Sequence, residues 1–498
     1  MIKKLLAWDL YVYSLITLGT VLAFGLFLKF YTDDFNLHMM GGEYVVRTLS
    51  IPRIAIGSWY GEAVNLPWVA HEWLSEVLIY STFHAIGISA PAKIGVVLFF
   101  STIFLFLFLI RNKEYIRKHY IHSLLFCVVS VMAINMYSLI RPQVFGFLTF
   151  YGEMWCLVSA WETKKYKRLL FVPVIAMLWA NLHGGSSALA YGLPLIFAIC
   201  LVTPFSWISE RMEDAQASWK EARLYLLVSL FSLLAVCINP YGLEMVRYPF
   251  VNMADTNMLK LVVEWLPTNI NDKTHLVPCI IPMFFISMTL LLSKRPIRGF
   301  DLVFFCIFFL MTMKSARFSI YLNLYAILVL GKYLQGNAIQ VFPSEKEQIW
   351  HGLKFTVIFL FVFALGICYK ASSGAVFEVS DDYTEKRDLF RVIEEANPKR
   401  IWNRGLGDDF LRSSVKPFVD GRADAFTGEP FLVGSLQMPR TPMSEIQKYK
   451  FDYLVLQEAD DFSVYVRSHP EVFEELYRES SHGVKERPFA FYRIRQEF

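Results

Sequence analysis

Long blocks of apolar residues, separated by short polar segments, fill the first three quarters of the chain. Each block has about 20 residues, the length that a helix needs to cross the hydrocarbon core of a bilayer. Basic clusters such as Lys164-Lys165-Tyr166-Lys167-Arg168 separate alternate blocks and are typical of cytoplasmic loops. The pattern predicts about eleven transmembrane helices, from roughly 7–30 to 352–370. We therefore expect a polytopic α-helical protein of the plasma (inner) membrane, with Lys3 and Lys4 keeping the N-terminus cytoplasmic.

The pattern changes after residue 370, where charged residues become frequent and the long apolar blocks end. Residues 386–398 have the periodicity of an amphipathic helix that ends at Pro398. The segment 471–480 is typical of a helix or of a passage from helix to strand. Four segments are typical of short strands: 399–403, 416–422, 452–457 and 489–494. The sequence thus predicts a transmembrane domain at 1–370 and an extracytoplasmic α/β domain at 371–498.

Composition narrows the class of protein. The chain has 498 residues, of which 55% are hydrophobic, and its 44 phenylalanines exceed what a soluble domain usually carries. The net charge of +4 is too small to indicate a nucleic-acid partner. All seven cysteines lie in apolar blocks, which indicates neither a disulfide framework nor a metal site. Because the tail has no GxGxxG or P-loop motif, we predict no nucleotide site there, and no cofactor is predicted for the chain.

The first polar loop, residues 31–90, carries the strongest candidate chemistry. Asp33 and Asp34 directly follow the first apolar block, where an unpaired charge beside hydrocarbon is costly. His38 follows one helical turn later, and His71 and Glu72 begin a helical segment that also carries Glu76. The loop is expected to form one wall of an active site at the outer membrane surface. The alternative is a polar interfacial loop whose tryptophans lie at headgroup level.

Further polar residues fall on the same predicted face, at the ends of different helices. They are Arg141, Asn181, His183, Asn239, Glu264, Lys314 and Arg317. Irregular backbone at membrane depth is tolerated where it lines a cavity, so this distribution predicts a polar cavity at the outer surface. In the tail, Asp420, Arg422 and Asp424 form a further charged cluster, for which stabilisation of a turn is the favoured interpretation.

Such a cavity suits transfer of a sugar from a lipid carrier. Outside the cytoplasm an activated sugar arrives on a lipid, usually a polyprenyl phosphate. For transfer, a carboxylate must accept the proton of the acceptor hydroxyl, and cations must hold the departing phosphate. Asp34 or Asp33 is the predicted catalytic base. The predicted substrate-binding residues are His38, His71, Glu72, Arg141, Asn181, His183, Asn239, Glu264, Lys314 and Arg317. Asp34 and His38 have the spacing of a metal-binding pair, but one pair is weak support, so no metal is predicted.

A series of short motifs follows the chain from the first loop to the tail: Asp34, His38, Gly42, Ile51-Pro52, Trp68, His71-Glu72-Trp73-Leu74, Arg141-Pro142-Gln143, Trp179 to Gly185, Asn239-Pro240-Tyr241-Gly242, Glu264-Trp265, Ala316-Arg317 and Asp420-Gly421-Arg422. In the order and spacing of these motifs, the chain resembles the GT-C superfamily of bacterial membrane glycosyltransferases over nearly its whole length. The resemblance implies a GT-C fold, a polyprenyl-phosphate sugar donor, and inverting transfer with the first-loop aspartate as base. Phe35 and Asn36 stand where that group has two tryptophans, and the tail lacks the WWDYG motif of oligosaccharyltransferases.

The expected partners are the lipid-linked donor, an extracytoplasmic glycan, lipid or protein acceptor, and membrane lipids. Two other functions remain open from the sequence. One is a polymerase or ligase that joins lipid-linked glycans, and the other is a non-enzymatic lipid or solute transporter. Transporters tend to have repeated halves and polar, broken helices near the bilayer midplane, whereas the polar motifs here lie at one predicted face. A scaffold without catalytic activity is a further alternative.

Overall fold

A computed structural model describes most of the chain and divides it into two compact units. It describes residues 34–88, isolated residues between 92 and 111, and 140–215, 217–255, 265–272, 275–334, 386–403, 406–407, 409–426, 442–457, 461–479 and 488–495. The helical unit comprises Met1–Phe30, Gly87–Phe250 and Val263–Glu378, and the mixed unit comprises Tyr31–Ile86, Val251–Val262 and Val379–Phe498. The first loop is thus grouped with the tail, although the sequence assigned it to the N-terminal domain.

The loop part of the mixed unit is an antiparallel pair of helices joined by an irregular segment. Helix α1 (Phe35–Thr48) packs against α3 (Trp73–Ile86), with a short helix α2 (Trp59–Ala63) between them in sequence. Phe35 and Phe83 meet edge to face with ring centroids 4.9 Å apart. Halfway along the pair, Gly42 lies against the backbone of Glu76 and the side chain of Tyr80, where any larger residue would collide. The sequence therefore permits an unusually close approach of the two helices at this point.

The tail part of the mixed unit is an α/β structure, as the sequence predicted. Elements are numbered in chain order, so α4–α11 and β1–β2 belong to the helical unit described below. The elements of the tail are α12 (Arg387–Ala396), β3 (Ile401–Asn403), α13 (Ala423–Phe426), α14 (Pro442–Tyr449), β4 (Tyr453–Gln457), α15 (Asp461–Ser468), β5 (Phe473–Arg478) and β6 (Phe489–Ile494). The sheet has the order β3-β4-β6-β5, parallel between β3 and β4 and antiparallel elsewhere. The predicted helix at 386–398 and the strands at 399–403, 452–457 and 489–494 are confirmed within a few residues.

One predicted strand of the tail is wrong, and the segment 471–480 is resolved as a strand. Residues 416–422 form no strand but a bent segment whose backbone bonds to the first loop. Pro417 accepts a hydrogen bond from the Trp59 N–H, and Phe418 accepts one from the Ser58 hydroxyl. These partners lie hundreds of residues away, so local sequence preference could not reveal them.

The helical unit consists of helices that mostly coincide with the predicted apolar blocks. They are α4 (Gln143–Thr163), α5 (Phe171–Leu182), α6 (Ala188–Val202), α7 (Trp219–Val236), α8 (Glu244–Ala254), which runs across the boundary of the unit, α9 (Ile281–Leu292), α10 (Gly299–Lys314) and α11 (Ser319–Leu334). Two short parallel strands, β1 (Met212–Glu213) and β2 (Ile297–Arg298), pair with each other. The predicted helices at 7–30 and 352–370 lie outside the described residues, as does nearly all of those at 91–110 and 122–140.

The expected polytopic membrane fold with about eleven spans is contradicted. Among the described residues, only two helical segments are long and apolar enough to cross a bilayer, Gln143–Thr163 and Gly184–Val202. Helices α5 and α9 have 12 residues each, and α10 and α11 have 16, whereas a span needs about 20. Helix α7 has 18 residues, but its first turns carry three charges. The apolar blocks therefore indicated helices correctly but overstated their length as membrane spans.

A buried ionic network holds one end of the helical unit. The Asp301 carboxylate is fully buried and accepts hydrogen bonds from the Tyr325 and Tyr333 hydroxyls, each at 2.5 Å. It also accepts a bond from Arg298 Nε at 2.6 Å, and Arg298 in turn reaches Glu162 at 2.8 Å. Because each charge has an opposite partner and hydrogen-bond donors, this network is best explained as structural.

Candidate functional site

Carboxylates and histidines from the first loop and the tail converge in the mixed unit. Asp34 lies immediately before α1, which contributes His38; the start of α3 contributes the carboxylate of Glu76, and the short α13 contributes Asp424. His71 and Glu72 lie in the turn immediately before α3. We call these six residues the acid–histidine cluster. Its members come from three separate stretches of sequence, so only the tertiary structure assembles it.

The centre of the cluster is a buried pair between His38 and Glu76. The His38 Nδ1 atom lies 3.3 Å from Glu76 Oε1, and both side chains are almost entirely buried. Gly41, which faces the Glu76 carboxylate, leaves room for it against α1. Asp34 precedes the helix, and its carbonyl accepts the His38 N–H at 3.1 Å. Within the described residues the half-buried Asp34 side chain makes no capping bond to α1, so helix capping does not account for it.

Burial and charge shift the pKa values of this pair in the same direction. Burial raises the pKa of the Glu76 carboxyl, although the hydrogen bond and charge of His38 oppose that rise. Burial lowers the pKa of His38, but the hydrogen bond to Glu76 and the charges of Glu72, Glu76 and Asp34 outweigh it and raise the pKa. The pKa values of both groups are therefore raised, that of Glu76 by burial and that of His38 by the neighbouring carboxylates.

His71 lies between two carboxylates. Its Nε2 atom is 3.6 Å from Glu72 Oε1, and its Nδ1 atom is 3.8 Å from Asp424 Oδ2 and 3.3 Å from the Val69 carbonyl oxygen. Burial lowers the pKa of His71, but the charge and hydrogen bond of Glu72, with the charge of Asp424, raise it to about 9. The imidazole is therefore protonated near neutral pH and places a positive charge within an acidic cluster.

The tail reaches this cluster through Arg422. The Arg422 side chain pairs with Asp420, donates to the carbonyl of Ile56, and lies over the Trp68 ring with 4.7 Å between guanidinium carbon and ring centroid. The Trp68 indole N–H in turn donates to Asp424 Oδ2 at 3.3 Å. The favoured sequence interpretation of Asp420 and Arg422 as a turn-stabilising pair agrees with their contact. It did not reveal that the same segment contacts the first loop.

Three buried atoms of this region have no hydrogen-bond partner in the described part of the chain: His38 Nε2, Glu76 Oε2 and Arg422 Nη1. A buried polar atom without a partner costs about 1–3 kcal/mol. Such atoms need an explanation beyond stability, and functional sites are a common one. Glu76 itself was noticed in the sequence but not assigned a role, because nothing local distinguished it from a surface carboxylate of an amphipathic helix.

The remaining predicted residues lie in the helical unit or outside the described residues. Asp33 and Glu264 are outside them. The Asn181 amide donates to the carbonyls of Met177 and Ile238 at 2.8 and 2.9 Å, and the Asn239 amide oxygen accepts the Tyr241 N–H. These two amides therefore serve backbone connections, which for Asn239 is the turn its sequence indicated.

The basic candidates of the helical unit differ in their surroundings. His183 Nδ1 lies 2.7 Å from the Ser186 hydroxyl, against Gly146. Arg317 lies over the Trp265 ring with 5.3 Å to its centroid, and Lys314 is exposed at the end of α10. Arg141 is half-buried just before α4. Their predicted roles as phosphate ligands stay predictions.

In the described ranges, no three histidine, cysteine, aspartate or glutamate side chains are grouped so as to hold a metal ion.

Neither a family model nor a curated protein matches this chain. The chemistry of the acid–histidine cluster is the main guide to function.

Proposed function

We propose that the protein transfers a sugar from a polyprenyl-phosphate carrier to a hydroxyl of an extracytoplasmic glycan, lipid or protein, with inversion at the anomeric carbon. The observation that carries the proposal is the acid–histidine cluster, which combines the half-buried carboxylate of Asp34 with His71, an imidazole flanked by two carboxylates. Inverting transfer needs both a base for the acceptor proton and positive charge near the leaving phosphate. The resemblance to the GT-C superfamily is consistent with this chemistry.

Asp34 is the proposed catalytic base. It is half-buried, whereas Glu76 is 2% exposed and is hydrogen-bonded to His38, so an acceptor hydroxyl can reach Asp34 more readily. The Asp34 carboxylate accepts the proton of the acceptor hydroxyl as the oxygen bonds to the anomeric carbon. The bond between the anomeric carbon and the phosphate oxygen breaks, and polyprenyl phosphate leaves with the electron pair. His71, protonated near neutral pH, supplies positive charge in the same unit.

A lipid-linked donor requires contact with a membrane, and exposed apolar side chains in the helical unit support that contact. Contiguous exposed apolar surface is typical of protein or membrane contacts. The exposed apolar residues on α7 and α9 include Leu227, Leu230, Phe231, Leu234, Phe284, Leu291 and Leu292. We propose that the protein acts at the outer surface of the plasma membrane, where such donors are available.

The test is sugar transfer by the purified full chain in lipid nanodiscs. A panel of polyprenyl-phosphate sugars is supplied with cell-envelope extract, and both released polyprenyl phosphate and transferred sugar are measured. Loss of the base in Asp34→Asn should lower the rate by about 100- to 10,000-fold. Glu43→Gln is the matched control, because Glu43 lies on the same helix in an exposed pair with Arg47.

The outcomes separate the parts of the proposal. Transfer that persists in Asp34→Asn would contradict the role of Asp34 and direct attention to Asp33 or Glu72. Absence of transfer from every donor, in protein that still binds the lipid, would contradict glycosyl transfer and favour the transporter. Joining of two lipid-linked glycans without another acceptor would favour the polymerase or ligase.

A further inference from the structure

The position of His71 depends on two carboxylates that come from distant parts of the chain. Glu72 precedes α3 and faces one ring nitrogen, at 3.6 Å, and Asp424 of the tail faces the other, at 3.8 Å. The Val69 carbonyl oxygen, from the same loop, also lies 3.3 Å from the nitrogen that faces Asp424. Rotation of the ring would move it away from both carboxylates. Glu72 is adjacent in sequence and moves with His71, so Asp424 is the partner that ties the ring to a separate element.

Asp424 is itself held in place by the first loop. The Trp68 indole N–H donates to its Oδ2 atom at 3.3 Å. Two residues earlier, Arg422 is 2% exposed, lies over the same Trp68 ring, and donates to the Ile56 carbonyl. The Trp59 N–H donates to the Pro417 carbonyl at 3.0 Å, which adds a further connection. The turn that carries Asp424 is therefore fixed on the segment that carries His71.

We propose that Asp424 is a positioning residue that holds the imidazole of His71 in the orientation needed at the active site, so that the tail completes the site. This inference rests on the proposed sugar transfer for the purpose of His71, but the contact between the two residues does not. Asp424 acts through His71 and is not expected to touch the substrate. The tail is therefore a required part of the active site and not only a domain attached to it.

The charged groups around His71 determine how the loss of Asp424 should change the His71 pKa. Glu72 lies beside His71 in sequence, and Asp424 faces it from the tail. Glu76 on α3, His38 on α1 and Asp34 just before α1 belong to the same cluster, and Arg422 lies near Asp424 and Glu76. Removing the Asp424 charge takes away one of the interactions that keep the His71 pKa at about 9. The His71 pKa should then fall toward its ordinary value of 6.5.

The experiment measures that pKa by NMR in the intact protein with ¹³C-labelled histidine. The signal of His71 among the ten histidines is the one missing from His71→Gln. Asp424→Asn should lower the His71 pKa, and Asp424→Glu should restore much of it. Asp388→Asn is the matched control, because Asp388 is 68% exposed in the tail and pairs with Arg391. If Asp424→Asn fails to fold, Asp424→Ser removes the same charge with a smaller side chain.

Activity gives a second, separate readout. If the wild type transfers sugar, the alkaline limb of its pH–rate profile should move to lower pH in Asp424→Asn, and Asp424→Glu should move it back. An unchanged His71 pKa in both Asp424→Asn and Asp424→Ser would overturn the inference. Failure of the wild type to transfer sugar would contradict the proposed function, and the NMR comparison would still decide the contact between His71 and Asp424.

Discussion

Replacing Gly42 by alanine tests the helix packing that places His38 beside Glu76. An alanine Cβ at this position would lie 2.6 Å from Tyr80 Cβ and 2.7 Å from the Glu76 carbonyl carbon. Two carbon atoms pack best at about 3.5–4.0 Å, so α1 and α3 must separate by about 1 Å to accept the methyl group. The obstacle is mainly backbone, which cannot rotate away as a flexible side chain can.

Two opposing effects set the size of the change. Alanine is favoured over glycine in a helix interior by about 0.5–1 kcal/mol. Overpacking a tightly packed contact costs about 1–3 kcal/mol. We therefore expect Gly42→Ala to lower the free energy of unfolding by about 1–2 kcal/mol. The separation should also lengthen the 3.3 Å contact between His38 and Glu76, and so reduce sugar transfer.

The assay is urea unfolding followed by tryptophan fluorescence, together with limited proteolysis of the first loop. Gly192→Ala is the matched control, because Gly192 lies inside α6 and its added Cβ would meet nothing within 4 Å. That variant should gain about 0.5–1 kcal/mol from helix propensity alone. A Gly42→Ala protein as stable as the wild type, with unchanged protease sensitivity, would refute the close packing of α1 on α3.

Three further changes are predicted from the same contacts. His71 has a pKa of about 9 in the folded protein, whereas its ordinary value is 6.5. Its contribution to stability is therefore complete below about pH 6.5 and is lost as the pH rises toward about 9. The thermal midpoint should fall across that pH range, and it should fall less in His71→Gln. Ser58→Ala removes the cap of α2 and the hydrogen bond to the Phe418 carbonyl, and should cost about 1–3 kcal/mol in urea unfolding. Asp301→Asn leaves the buried charge of Arg298 poorly compensated and should cost about 3–5 kcal/mol, measured as a lower thermal midpoint.

Each of these predictions has a control within the chain. His469→Gln, at a half-buried position in the tail with hydrogen bonds only to nearby residues among those described, should leave the pH dependence of the thermal midpoint unchanged. Ser50→Ala removes an exposed hydroxyl and should leave urea unfolding nearly unchanged. Asp388→Asn, in an exposed ion pair, should have little effect, whereas an equally small effect of Asp301→Asn would contradict the structural role of the buried network.

The sequence by itself determined the local elements wherever local physical chemistry decides them. Apolar blocks located the helices of the helical unit, and amphipathic periodicity ending at Pro398 located α12. Short segments rich in apolar residues located β4 and β6. Hydropathy located helix ends less well than helix positions. Helix α7, for example, starts at a capping box formed by Ser218 and Glu221, which lies inside a charged stretch. The number of spans was overestimated because several apolar blocks form helices of only 12 to 16 residues.

Only the tertiary structure decided which functional side chains meet. Trp68 and Asp424 are 356 positions apart, yet the indole of one donates to the carboxylate of the other. Glu76 and His38 acquire their shifted pKa values from mutual contact and burial, neither of which is a property of the residues around them in sequence. The sequence could identify Asp34, His38, His71 and Glu72 as candidates because they are unusual near an apolar block. It could not pair them with the tail, because such contacts depend on how separate segments pack together in three dimensions.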